Sequence, residues 1–280
     1  MMNFPHQALR RIRHVALDMD GTIYAGQTLF PWTLPFLRRL GELDIGHTFL
    51  TNNPSKSTRD YLAQLAKFGV TASTDQLYTS AHATIEYLRR HHPDARRLFL
   101  LGTPSMVAEF ESAGFTSTSE DASDEPDAVI VGFDLTLTFA RLGRAAWWIR
   151  NGKPYLATNP DRVCPTDQPT VLVDCGSLCA ALKEATGRAP DVVLGKPDPT
   201  MIQGILARHG LRCDEVAMVG DRIYTDVRMA QNAGVMSVLV LSGECTEADV
   251  AHAERRPDLI VPTLGEFGQQ LAAARVVPVR

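Results

Sequence analysis

The feature that most limits the fold is an alternation. Short β-rich runs ending in turn residues are followed, for the most part, by amphipathic stretches of helical period. The runs are "HVALD", "HTFLT", "RLFLLG", "DAVIVG", "PYLAT", "DVVLG" and "EVAMVG". The spacing predicts helices at about 31–41, 57–68, 79–91, 104–113, 138–150, 176–186, 199–209 and 224–233, the last stopped by Gly234. Strand-then-helix order builds a parallel sheet covered by helices, so the expected class is α/β with a Rossmann-like parallel sheet. With 280 residues, 45% of them hydrophobic, the chain can bury one large core or two ordinary ones.

In such sheets ligands bind beyond the carboxyl ends of the strands, and chemistry-bearing residues gather there. Asp18 and Asp20 follow the first run, Thr51, Asn52 and Asn53 the second, Lys196 follows "VVLG", and Asp221 follows "AMVG". On a continuing strand Asp18 and Asp20 point the same way, and carboxylates about 4 Å apart repel by roughly 4 kcal/mol at an effective dielectric of 20. A cation between them removes that cost; the alternative is an Asp-Gly turn with both acids solvated. Asp221 and Asp226 add two acids, and oxygen-only ligation suits Mg²⁺ better than zinc; the alternative is Asp221 as a turn residue and Asp226 as a helix cap. The Thr51 hydroxyl and the backbone N–H groups after it could hold a phosphate oxygen, or Thr51 is an ordinary strand end before Asn-Asn-Pro turn chemistry. Lys196 sits between Gly195 and Pro197 as a charged group on a stiff loop, or as a surface lysine. Pro190 and Pro197 occupy positions that a Walker A loop cannot give to proline, and no Gly-x-Gly-x-x-Gly fingerprint is present.

A formal charge of −4 supplies no global field for nucleic acid or an anionic membrane. No apolar run approaches the ~18 residues that span a bilayer, and the N-terminal stretch reaches Asp18 too soon for a signal core, so a cytoplasmic protein is expected. Cys164, Cys175, Cys179, Cys213 and Cys245 are odd in number and lack Cys-x-x-Cys, which argues for reduced structural thiols. The eight histidines show no His-Glu-x-x-His; His91 and His92 precede Pro93, as in a surface loop, and none is given a role.

Taken in chain order, "DMDGT", "LTN", "GKP" and "GDRIYTD" resemble the four motifs of the haloacid dehalogenase superfamily. The resemblance runs from about residue 14 to residue 262. Thr51 lies 33 positions after Asp18 and Lys196 lies 145 after Thr51, so a cap domain fits only between the second and third motifs. Together with "LFLLGTPSMVAEFESAGF", "DAVIVGFD", "YLATNPD" and "GSLCAAL", this resembles the NagD and para-nitrophenyl phosphatase-like branch. The implied division is a catalytic core of residues 1–81 and 191–280 and an inserted α/β cap of residues 82–190.

The resemblance implies a Mg²⁺-dependent phosphatase acting on small phosphomonoesters, with Asp18 as nucleophile and Asp20 as acid and base. Mg²⁺ would be held by Asp18, the backbone carbonyl of Asp20 and Asp221, with Asp226 supporting from outside, and the phosphoryl oxygens by Thr51, the backbone near Asn52, and Lys196. The "ATNPD" loop would select the leaving group, making Asn159, Asp161, Arg162, Val163 and Cys164 specificity candidates. Asp134 reads as a helix cap and the pair Trp147-Trp148 as core. The partner is a small phosphorylated metabolite, and a homodimer through the cap is common in the branch. Two alternatives are a phosphatase of protein phosphates and a non-catalytic binding protein on the same scaffold.

Overall fold

The run His14–Asp18 is the inner strand of a six-stranded sheet ordered Leu259–Val261, Met236–Val240, Val216–Gly220, His14–Asp18, Gly46–Thr51, Leu77–Thr79. It pairs in parallel with Val216–Gly220 on one side and Gly46–Thr51 on the other. Val15, Ala16 and Leu17 are all fully buried, which is why this strand reads as a continuous apolar run rather than an alternation. The chain steps from His14–Asp18 to one neighbour and returns much later on the opposite side, so strand order reverses between His14–Asp18 and Val216–Gly220. The carboxyl ends at that reversal are where an open sheet leaves a crevice, and they are the ends that carry Asp18 and Asp221.

The structure is a computed structural model that describes residues 4–164, 166 and 169–276. The chain divides into two units, one of Met1–Thr51, Gln64–Tyr78 and Lys196–Arg280, the other of Asn52–Ala63 and Thr79–Gly195. The second unit has its own five-stranded sheet, ordered Val192–Val193, Tyr155–Ala157, Ala128–Val131, Arg97–Leu101, Thr116–Ser117. Its side chains alternate by face. Phe99, Leu101, Val129, Val131, Tyr155 and Ala157 pack with residues of helices Phe139–Arg150 and Cys175–Thr186. Leu98, Leu100, Ala128, Ile130 and Leu156 pack with those of helices Ser80–His91 and Pro104–Ser112. The period of two along each strand, set against helices on both faces, yields two apolar layers.

The unit boundaries differ from the division read from the sequence. Residues 52–63 join the second unit, because Ser80 Oγ donates to the Asn52 carbonyl at 2.6 Å and Thr58 donates to Glu109 through both its backbone N (2.8 Å) and its hydroxyl (2.7 Å). Glu109 is held near 2; burial would raise it, but hydrogen bonds from His82 and Thr58 outweigh burial.

The predicted helices are present within one or two residues of their expected bounds. Strands Leu77–Thr79, Met236–Val240 and Leu259–Val261 and helices Phe4–Arg11 and Leu264–Arg275 come in addition. The predicted helix at 224–233 opens as a π-helical turn over Ile223–Val227 before becoming regular at Arg228–Ala233, and Gly234 closes it in the left-handed conformation. His91 is the last residue of a helix rather than part of a loop. Trp148 is core but Trp147 is 52% exposed, because adjacent helical residues face different ways. Asp134 is not a cap: Thr138 caps helix Phe139–Arg150, and the buried Asp134 pairs with Arg141 at 2.6 Å. Among the described residues no helix is long and apolar enough to cross a membrane.

Candidate active site

Asp18 is the last residue of its strand and 7% exposed. Its Oδ2 accepts a hydrogen bond from Thr22 Oγ1 at 3.1 Å, and its Oδ1 is paired with Lys196 Nζ. Lys196 also meets Asp226 Oδ1 at 2.7 Å, so one ammonium bridges two carboxylates. Asp221 comes from the neighbouring strand end, where its Oδ2 accepts from Glu244 N at 2.7 Å while its Oδ1 is buried without a hydrogen-bond partner. Asp18, Asp221 and Asp226 each present a carboxylate oxygen, all within 4.8 Å of one another and all buried.

Three carboxylates and one ammonium leave the cluster short of positive charge. Burial, and then the charges of Asp18 and Asp226, push Asp221 up to about 7. Burial likewise raises Asp226 to about 6, with Lys196 pulling the other way. Burial would lower the Lys196 ammonium, but Asp18 and Asp226 outweigh it and hold the lysine charged. An oxygen-only group of this kind, with one orphaned buried oxygen, fits a hard divalent cation.

Local backbone makes the cluster possible. Gly21 has a φ of +85°, which reverses the chain after Asp20, and a Cβ there or on Gly243 would collide with the Asp221 carboxylate. The π-turn places Asp226 so that Arg222 N donates to its Oδ2 at 3.1 Å. The strand stops at Asp18, so Asp20 does not continue the alternation; it lies exposed in the turn, in a bridge to Tyr24. The acids that gather at one point are Asp18, Asp221 and Asp226. Asp226, expected outside the cluster, is one of its three members. Thr51 ends strand Gly46–Thr51 and is half-buried.

In the second unit the "ATNPD" residues do not form one exposed patch. Asn159 is fully buried, and its Nδ2 donates to the Asn52 carbonyl at 3.1 Å. Asp161 Oδ2 accepts from Asn52 Nδ2, also at 3.1 Å. Arg162 is exposed, as is Val163, and the half-buried Cys164 Sγ accepts from Asn53 Nδ2 at 3.5 Å.

Two family models match the chain, haloacid dehalogenase-like hydrolase over residues 15–116 and HAD-hydrolase-like over residues 193–267. It is 32% identical over 256 residues to the ribonucleotide monophosphatase NagD of Escherichia coli, covering 91% of this chain and 98% of that one. The chain belongs to the haloacid dehalogenase-like hydrolases. Within them it is a NagD-like phosphatase. A 4-nitrophenylphosphatase from Thermotoga maritima has the same fold, with a TM-score of 0.88 and 41% identity over 94% of this chain and 98% of that one. A glycerol phosphate phosphatase from Mycobacterium tuberculosis, solved with magnesium, matches with a TM-score of 0.84 and 32% identity over 94% of this chain and 77% of that one.

Against this family frame, sequence reasoning passed over a loop that holds the site. Ser242 Oγ donates to the Gly21 carbonyl at 2.9 Å, Cys245 N donates to the Asp221 carbonyl at 3.2 Å, and Glu244 pairs with Arg222 at 2.8 Å. The loop follows strand Met236–Val240, and recognising "SVLV" as a strand places its carboxyl end at the same sheet edge. Thr22 stands inside "DMDGT" and carries a hydroxyl four residues after Asp18, which was signal enough to assign it.

Proposed function

We propose that the protein hydrolyses small phosphomonoesters by way of an aspartyl-phosphate on Asp18, with Mg²⁺ as the bound cation. The observation that carries this reading is the buried group of Asp18, Asp221 and Asp226 bridged by Lys196 at the reversal of strand order. Asp18, Asp221 and the Asp20 carbonyl are the residues that would hold Mg²⁺, which when bound supplies positive charge to the acids and to the transferring phosphoryl group. Support for magnesium comes from the relative solved with it.

Thr22 orients the Asp18 carboxylate so that an oxygen attacks phosphorus and the ester bond breaks. Asp20, exposed beside the nucleophile in sequence, gives its proton to the leaving oxygen. It then takes a proton from the water that attacks the phosphorylated Asp18, which releases phosphate, frees the Asp18 carboxylate and returns Asp20 to its protonated form. Lys196 and Thr51, with the backbone at Asn52, are assigned the remaining phosphoryl oxygens, since positioning and charge carry most of phosphoryl transfer. The second unit, which contains residues 82–190, is assigned the role of cap, and the exposed Arg162 with Cys164 are the side chains assigned to the leaving group. We place the protein in the cytoplasm, where its free cysteines stay reduced, and as a homodimer.

The substrate class is drawn from relatives that act on ribonucleotide monophosphates and glycerol phosphate. Phosphate release from about a hundred phosphorylated metabolites, with Mg²⁺ and with chelator, tests the proposal. Asp18→Asn serves as the blank and retains the circular dichroism spectrum of the wild type. Turnover by the wild type, lost in the variant, is the expected result; near-normal turnover in Asp18→Asn overturns the assignment.

A further inference from the structure

The "ATNPD" loop holds two of the four places at which the chain passes from one unit to the other, Thr51–Asn52 and Gly195–Lys196. At one crossing, Asn159 Nδ2 and Ser80 Oγ both donate to the Asn52 carbonyl, and Asn52 Nδ2 donates to Asp161 Oδ2. Asn159 Oδ1 in turn accepts from Asp161 N at 2.9 Å, so the two loop residues brace one another. At the crossing before Lys196, Gly195 has a φ of +73°, and a Cβ built on it would lie 2.7 Å from Asn52 Oδ1, 2.9 Å from the Thr158 carbonyl and 3.3 Å from Asn159 Cβ. Only glycine lets that segment lie so close. The preceding Leu194 N donates to the Ala157 carbonyl at 2.9 Å.

The loop is itself fixed from behind. Gly176 N donates to the Asp161 carbonyl at 2.7 Å, Asp174 N to the Arg162 carbonyl at 3.0 Å, and Ser177 Oγ to the same carbonyl at 2.8 Å. These donors belong to the start of helix Cys175–Thr186 and its cap. Helix, loop and crossing segments are therefore one hydrogen-bonded body.

We infer that Asn159 and Asp161 are positioning residues, not contacts to the leaving group: by gripping Asn52 and enclosing Gly195 they fix the backbone through which Thr51 and Lys196 are presented to phosphate. The inference rests on the phosphatase reading. Asn159 has no exposed surface with which to meet a leaving group. Asp161 and Asn159 act instead through the peptide bonds Thr51–Asn52 and Gly195–Lys196. Their effect then falls on the phosphoryl group, which all substrates share.

The test compares wild type, Asp161→Ala, Asp161→Asn and Asn159→Ala. KM and kcat are measured for p-nitrophenyl phosphate, glycerol 3-phosphate and a ribonucleoside monophosphate, and binding of inorganic phosphate is measured by calorimetry. In Asp161→Ala we expect KM for all three esters and the phosphate dissociation constant to rise together, about tenfold, as for one lost hydrogen bond to a positioned group. Ratios of kcat/KM among the esters stay unchanged. Asp161→Asn keeps an oxygen for the Asn52 amide and stays within about twofold of wild type. Altered ratios among the esters, equal loss in Asp161→Asn and Asp161→Ala, or no change in Asp161→Ala overturns the inference; the Asp161 variants decide it if Asn159→Ala does not fold. A wild type that binds phosphate yet hydrolyses none of the esters overturns the phosphatase reading alone, and the phosphate constants of the variants still test the clamp.

Discussion

Asp18 and Lys196, 178 positions apart in the chain, form a buried ion pair, and the same ammonium reaches Asp226. One cation thus serves two carboxylates in a cluster of three. Taking away either kind of charge should have opposite consequences.

Lys196→Met removes the ammonium that bridges Asp18 and Asp226 and leaves both buried acids unpaired by it. Breaking a buried pair from one side costs about 3–5 kcal/mol, and loss of a charge aimed at the phosphoryl oxygens costs on the order of 10²-fold in turnover. Urea unfolding in the presence of chelator and a single-substrate kcat measure the two effects. A variant as stable and as active as wild type contradicts the assignment.

Cation binding should reverse the crowding of negative charge. Saturating Mg²⁺ at about a hundred times its dissociation constant stabilises by about 2.7 kcal/mol, seen as a higher thermal midpoint that chelator abolishes. Asp221→Asn, which deletes the charge of the acid whose Oδ1 has no hydrogen-bond partner, should lose most of that Mg²⁺-dependent increment while its chelated form unfolds no earlier than wild type.

Asp174 in the second unit is pushed up to about 7, first by burial and then by the nearby Asp161, against the hydrogen bond it accepts from Cys175 N. Its folded pKa exceeds its unfolded value, so the folded state binds the extra proton between about 4 and 7, and stability falls as pH rises through that window. Asp174→Asn keeps an oxygen for Cys175 N and removes the charge. It should be more stable than wild type at pH 8, by up to about 4 kcal/mol, and nearly equal at pH 4. Urea midpoints across that range provide the check, and parallel curves for the two proteins count against it.

His14 shows the opposite sign. Burial, and then the neighbouring His209 and His47, lower it to about 3, and it shares a hydrogen bond with Thr48 Oγ1 at 2.8 Å. The unfolded chain binds a proton that the folded one refuses between about 6.5 and 3, so this contribution is intact above pH 6.5 and is lost as pH falls through the window. His14→Gln should show a shallower loss of urea stability between pH 6.5 and 4; an unchanged slope refutes it.

What the sequence determined by itself is the order of strands and helices and the identity of the strand-end residues. Runs such as "HVALD" and "EVAMVG" are apolar on both faces, so their burial and parallel pairing follow from composition and period alone, and turn residues mark where each must end. The family motifs added Asp18, Thr51, Lys196 and Asp221 in order. Only the tertiary structure decided which acids crowd one another. Asp18 and Asp20 are two positions apart in sequence, but the strand ends at Asp18 and Asp20 lies exposed in the turn that follows. Asp226, reached through a π-turn that helical periodicity does not reveal, closes on Lys196 instead. The direction of Asn159 and Asp161 was equally hidden, because a loop's side chains are aimed by what packs behind it, here helix Cys175–Thr186, and that contact has no signature in local sequence.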